Sequence, residues 1–122
     1  MTQQMHLGPD ALMNTAQIKI AVDMAIADAG ATAHFAIPGA PVINKQIANT
    51  PLIINLPDGE QLQSTHTCEL DIPSLPKKAR QAHIVPGLQH TSLISIKVLC
   101  DAECKVRYDE ERCKVYFKNK LV

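Results

Sequence analysis

Turn-forming residues divide the chain into short apolar runs, and this spacing limits what it can fold into. The sequence contains eight prolines, and Pro38-Gly39, Asp58-Gly59 and Pro86-Gly87 add further turn signals. Several runs between these turns alternate apolar and polar residues, as a half-buried strand does. The pattern predicts about seven short strands and one or two short helices, arranged as a mostly-β barrel or sandwich.

Two alternating runs carry the strongest strand signals. The first covers residues 18–22 and is followed by the apolar run Met24–Ala27. The second covers residues 61–72 and has its apolar side chains at even positions, which predicts that these face the core. Asp58-Gly59 joins it to the run at 51–56, so we predict a hairpin there. Further strands or strand-to-helix segments are predicted over 83–85, 93–101, 105–108 and 114–117, the last two forming a hairpin.

Charge and composition argue against several classes of function. Twelve Lys and Arg balance twelve Asp and Glu, whereas a general nucleic-acid binder needs a basic excess. Two Tyr, two Phe and no Trp leave too few rings for base stacking. No apolar run approaches the roughly 18 residues that span a bilayer, and the first residues do not resemble a signal peptide. We therefore predict no direct nucleic-acid binding, no membrane partner and an intracellular, cytoplasmic protein.

The amino-terminal residues differ in composition from the rest of the chain. Residues 1–17 are polar and interrupted by Gly8-Pro9, and Asp10 could cap a short helix over 11–17. We predict a leader over 1–17, helical or disordered, and a single domain over 18–122.

Four cysteines raise the question of a disulfide or a metal. In a reducing compartment free thiols are the expected state. The alternative is a zinc site drawn from His66, Cys68, Cys100, Cys104 and Cys113. Zinc modules usually carry two tightly spaced ligand pairs, and this chain has only Cys100-x3-Cys104. We therefore predict no metal.

The segment Asp28-Ala29-Gly30-Ala31-Thr32 is the best candidate for chemistry. It places an acid where an apolar strand ends and small residues begin, so that backbone N–H groups can hold the carboxylate. Such a carboxylate can act as general base on water. A simple turn uses the same residue types, so this segment alone leaves both interpretations open. His34 and His66 lie near this segment and the hairpin, although isolated histidines usually have structural roles.

From Asp23 to Phe117 the chain resembles the retropepsin-like protease domain of copia-type retrotransposon polyproteins. Asp28-Ala29-Gly30-Ala31 is similar to the family's Asp-Ser/Thr-Gly-Ala active-site loop. Leu56–Glu60 resembles the mid-domain hairpin, where a substrate-covering flap is expected. The segment 83–95 is similar to the family's Val-Pro-Gly-Leu motif, which ends in the apolar Leu93-Ile94-Ser95.

The resemblance implies an aspartic endopeptidase in which Asp28 is the catalytic residue. Such enzymes use two carboxylates that share a proton, and one loop supplies only one of them. A second Asp28 must then come from an identical chain, so we expect a homodimer without a cofactor that cleaves the element's own polyprotein. The resemblance also places Ala29, Gly30, Ala31 and Thr32 in the active-site loop and Asp58, Gly59 and Glu60 in the flap.

Two departures from the family pattern favour an alternative. Position 29 is Ala where the family has Ser or Thr, whose hydroxyl bonds across the dimer interface. The flap segment contains only Gly59, whereas retroviral flaps are rich in glycine. The alternative is a catalytically inactive retropepsin-like β-domain, either a decayed element fragment or a dimerisation module.

Overall fold

The fold is built almost entirely from short strands. The structure, a computed structural model, describes residues 3–6, 16–20, 23–56, 58–88, 92–108 and 113–122. The strands are β1 Gln3–His6, β2 Ala16–Ile20, β3 Asp23–Asp28, β4 His34–Ala36, β5 Val42–Ile47, β6 Leu52–Asn55, β7 Gln61–Gln63, β8 His66–Leu70, β9 Gln81–Ile84, β10 Ser92–Ser95, β11 Lys105–Tyr108, β12 Cys113–Phe117 and β13 Lys120–Leu121. A 3₁₀ turn, η1, covers Lys77–Ala79, and one α-helix, α1, covers Ile96–Asp101.

The largest sheet has seven strands in the order β2-β3-β10-β4-β9-β8-β5. It contains the parallel pair β3–β10, which joins strands distant in sequence. Strand β4 then pairs antiparallel with β10 and parallel with β9. The centre of the sheet is therefore assembled from three separate parts of the chain.

Two three-stranded sheets complete the described fold. One has the order β1-β6-β7, with the hairpin β6–β7 at its centre and β1 parallel to β6. The other has the order β11-β12-β13 and follows α1. Within the described ranges, no helix has the length and hydropathy needed to cross a membrane.

The buried apolar side chains form two clusters. The larger lies along the seven-stranded sheet and against α1, and includes Leu70, Ile84 and Leu99. The smaller, which we call the loop cluster, consists of Ala31, Phe35, Leu52, Ile54, Val85 and Leu93. The loop cluster joins the segment after Asp28 to strand β6, so it holds the hairpin against the loop.

The predictions of a mostly-β fold and of both hairpins are confirmed, but the described strands form no closed barrel. The seven-stranded sheet is open, because its edges β2 and β5 do not pair with each other. Strand β5 is exposed along most of its length, and its pairing with β8 shifts register between Ile43 and Gln46.

In the region expected to be a leader, the residues that the structure describes form strands. Gln3–His6 pairs with β6, and Ala16 and Gln17 belong to β2, which pairs with β3. The remainder of the expected helix, residues 11–15, lies outside the described residues, as do residues 109–112 in the turn of the predicted hairpin 105–117.

Candidate functional site

The candidate site begins at Asp28, the last residue of β3. The strand buries Ala25 and Ala27 completely, and then the chain turns at Ala29 and Gly30, which are exposed. One carboxylate oxygen of Asp28 accepts a hydrogen bond from the Gly30 N–H at 2.8 Å. The Asp28 side chain is only 1% exposed. The loop therefore presents exposed backbone on one side and a buried carboxylate on the other.

Strand β10 places Ser95 beside Asp28. The parallel register pairs Ile94 with Ala27 and Ser95 with Asp28. The buried Ser95 hydroxyl donates a hydrogen bond to the Ala31 carbonyl at 2.7 Å and accepts one from the Val98 N–H at 3.1 Å. Ser95 thus caps α1 and also fixes the end of the Asp28 loop.

Of the residues in the loop and in the second apolar motif, most are buried and three are not. Leu93, Ile94 and Ser95 are buried, and Ala31 is as well. Ala29, Gly30 and Thr32 are exposed. The structure therefore brings the two sequence motifs together as neighbouring ends of parallel strands.

His34 lies beneath this loop and uses both ring nitrogens. Its Nε2–H donates to the Ala79 carbonyl at 2.7 Å, and its Nδ1 accepts from the Ser95 N–H at 2.9 Å. Burial lowers the pKa of His34 to about 4, although the bond to Ala79 partly opposes this shift and nearby His83 reinforces it. The sequence shows that His34 lies near the Asp28 segment along the chain. It does not indicate these two partners, which lie 45 and 61 residues away in sequence.

The candidate flap is the turn between β6 and β7. Asp58, Gly59 and Glu60 are exposed, and an Asp58 carboxylate oxygen accepts a hydrogen bond from the Glu60 N–H at 2.8 Å. The Gly59 N–H bonds to the Leu56 carbonyl at 3.0 Å, and the Leu56 N–H bonds to the Glu60 carbonyl at 2.8 Å. The tip is therefore a closed turn with exposed side chains.

The strands of the same hairpin are anchored. Leu52 and Ile54 are buried in the loop cluster, and the Ser64 hydroxyl accepts a bond from the Leu52 N–H at 2.8 Å. Below the hairpin, Gly87 has a φ of +94°, and a Cβ there would lie 2.9 Å from a Leu62 methyl. The positive φ favours glycine at this position, and a side chain there would also require the Leu62 side chain to move.

Asp101 follows another apolar run, but this run is the helix α1. Asp101 ends α1, is largely exposed, and accepts a hydrogen bond from the Lys97 ammonium at 2.7 Å. Asp101 is therefore not part of the candidate site.

The residues considered for zinc do not assemble into a site. Among the described residues, no group of three or more His, Cys, Asp or Glu side chains is placed to hold a metal ion. All four cysteines are free, and His66 lies 2.8 Å from the Thr65 hydroxyl.

Comparison of the chain with protein-family models, with curated proteins and with solved structures finds no match. The chemistry of the site must therefore be argued from its own residues.

Proposed function

We propose that this chain is a retropepsin-like aspartic endopeptidase domain of copia-type retrotransposon polyproteins. It would act as a homodimer, with Asp28 of each subunit forming the catalytic pair. The single observation that carries the proposal is the end of the β3–β10 pair. There Asp28 accepts the Gly30 N–H, while Ser95 in the paired position holds the Ala31 carbonyl.

This arrangement supports acid–base chemistry because it holds one carboxylate in a turn. Two such carboxylates within a few ångströms of each other share one proton. The ionised one takes a proton from water as the water oxygen attacks the peptide carbonyl carbon. The protonated one donates its proton to the carbonyl oxygen. Collapse of the tetrahedral intermediate then breaks the C–N bond, with a proton passing to the leaving amine.

The exposed residues of the loop support the proposal of a dimer, because they leave this side of the loop accessible to a second chain. Ala29 and Gly30 are exposed next to Asp28, so a second copy could approach the carboxylate there. The hairpin tip at Asp58, Gly59 and Glu60 is the segment available to cover an extended peptide substrate. The polyprotein as substrate follows from the family resemblance.

A second candidate is a catalytically inactive retropepsin-like β-domain. Two observations favour it. Ala29 has no hydroxyl to bond across a dimer interface, and the Asp28 side chain is 1% exposed in the single chain. In this alternative Asp28 closes a turn and has no chemical role.

The deciding experiment compares cleavage by the wild type, Asp28→Asn and Asp101→Asn. A fluorogenic peptide library is assayed with all three proteins between about pH 4 and 7. We expect wild type and Asp101→Asn to cleave equally and Asp28→Asn to be inactive. Asp101→Asn is the matched control because it removes an exposed carboxylate outside the site. Equal inactivity of all three would establish the inactive β-domain.

Mixed dimers test the requirement for two chains. If only wild-type pairs cleave, an equal mixture with Asp28→Asn retains about a quarter of the wild-type activity at the same total concentration. Retention of about three quarters would show that one Asp28 per dimer suffices, and retention of about half would show that each chain acts independently.

Ala29→Ser should restore two symmetry-related bonds and tighten the dimer by about 1–3 kcal/mol, measured by analytical ultracentrifugation. Unchanged affinity would show that position 29 does not lie at the interface.

A further inference from the structure

His34 is fully buried, and its hydrogen bonds determine its chemical state. The Ala79 carbonyl can only accept, so Nε2 must carry the proton. The Ser95 N–H can only donate, so Nδ1 must be unprotonated. Both bonds exist together only on a neutral ring with its proton on Nε2. His34 therefore connects η1 to the end of β10.

Ser95 continues this connection to the Asp28 loop. Its N–H is held by His34, and its hydroxyl holds the Ala31 carbonyl. The result is a continuous chain of hydrogen bonds from Ala79 through His34 and Ser95 to Ala31. Its links join residues 45, 61 and 64 positions apart in sequence.

The bond within the loop constrains its position less than the bond from Ser95 does. The bond from the Gly30 N–H to Asp28 is local and moves with the loop. Ala29 has no side-chain donor or acceptor with which to attach the loop to a second subunit. The Ser95 hydroxyl forms a side-chain bond that ties the end of the loop to a distant element. Small displacements of a reacting group lower rates strongly, about 100-fold for 1 Å.

We infer that His34 is a positioning residue for the proposed cleavage reaction, acting through Ser95 to fix the loop that carries Asp28. This inference rests on the proposed function for its effect on catalysis. Its structural part, the link from His34 to the loop, can be measured whether or not the chain cleaves peptides.

The two bonds of His34 can be removed separately. The amide of Asn reaches about as far as Nδ1, so His34→Asn keeps an acceptor for the Ser95 N–H and loses the bond to Ala79. The amide of Gln reaches about as far as Nε2, so His34→Gln keeps a donor to Ala79 and loses the acceptor for Ser95. A role limited to filling the core would make the two variants equivalent.

The experiment measures both variants as the full chain, by peptide-library cleavage and by hydrogen exchange of residues 28–32. We expect kcat to fall about 100-fold in His34→Gln and less than about 10-fold in His34→Asn, with little change in KM. Exchange of the loop amides should rise in His34→Gln and stay near wild type in His34→Asn. Equal kcat and equal exchange in the two variants would overturn the inference.

Two further measurements separate this inference from the proposed function. If the wild type cleaves nothing, the proposed function fails, and the exchange data alone then support or overturn the link from His34 to the loop. If the His34 variants do not fold, Ser95→Ala is used, because it removes the bond to Ala31 and leaves the Ser95 N–H bond to His34. Faster loop exchange supports the link, and unchanged exchange overturns it.

In the wild type, the NMR chemical shifts of the His34 ring nitrogens at pH 7 should report the Nε2–H tautomer. Any other state would contradict the hydrogen-bond network.

Discussion

Two turns of this molecule share one local hydrogen bond but differ in everything around it. In the Asp28 loop and in the hairpin tip, an Asp carboxylate accepts the N–H two residues ahead at 2.8 Å. Asp28 is buried and lies beside a second strand, β10. Asp58 is exposed, and its carboxylate accepts a hydrogen bond from the Glu60 N–H of the same turn. Local turn chemistry is therefore the same at both places. What distinguishes the candidate site is the parallel strand β10, which places Ser95 beside Asp28, and the hydrogen bond from the Ser95 N–H to His34.

Of the changes that test this comparison, removal of the Ser95 hydroxyl should lower the free energy of unfolding most. Ser95→Ala leaves the Ala31 carbonyl and the Val98 N–H without their buried partner. We expect the free energy of unfolding to fall by about 3 kcal/mol. Ser64→Ala is the matched control on the hairpin side, where one bond to the Leu52 N–H is lost, and should cost about 1 kcal/mol. Equal losses in urea unfolding would contradict the comparison.

Acid should destabilise the loop side through His34. Its pKa is about 4 in the folded chain, against 6.5 for an ordinary histidine, so the unfolded chain binds more protons between these values. The free energy of unfolding therefore falls as pH falls from 6.5 towards 4, by up to about 3 kcal/mol, and is unaffected above that window. Burial also lowers the pKa of His83, which adds to the slope.

Urea unfolding of wild type and His34→Gln at several pH values checks this dependence. The variant has no titrating ring at position 34, so most of the slope between pH 6.5 and 4 should disappear. If His34→Gln kept the full pH dependence of the free energy of unfolding, the acid sensitivity would come from titrating groups other than His34.

A smaller contrast compares two glycines on the hairpin side. Gly59 and Gly87 have φ values of +88° and +94°, but only a Cβ at Gly87 would meet a neighbour, Leu62. Gly59→Ala should cost about 1 kcal/mol, from backbone strain alone. Gly87→Ala should cost about 2 kcal/mol, because the Leu62 side chain must also move. Thermal unfolding of both variants would contradict this interpretation if Gly59→Ala were the more damaging.

The smallest effect is expected at the hairpin tip itself. Asp58→Asn keeps an oxygen that can accept the Glu60 N–H, and the site is exposed to water. The free energy of unfolding should change by less than about 0.5 kcal/mol. A loss above about 1 kcal/mol in urea unfolding would show that the charge of Asp58 has a partner in the folded chain.

Local patterns predicted the parts of this fold that depend on neighbouring residues. The Asp58-Gly59 turn predicted the β6–β7 hairpin. The run over 61–72, predicted as one strand, forms two strands, β7 and β8, in different sheets, although its even positions include the buried Ser64, Cys68 and Leu70. The strand at 92–95 running into α1 also agrees with the pattern. In each case the signal lies within about ten residues of sequence.

The parts that were missed lack such a signal. Strand β4 has three residues that are all buried, so no alternation marks it, and β5 is exposed along most of its length. The partners of His34 lie 45 and 61 residues away, and no local pattern can indicate them. The acid at position 28 was identifiable from sequence, but its surroundings were not.

The parallel pairing of β3 with β10 has a consequence for the order in which the molecule folds. The pair cannot form until the chain between Asp28 and Ser95 has closed into a loop, and such closure is slow. During synthesis on the ribosome, the Asp28 turn is made early, but the anchors at Ser95 and Val98 emerge much later. We therefore expect the segment at Asp28 to be among the last to acquire its final geometry.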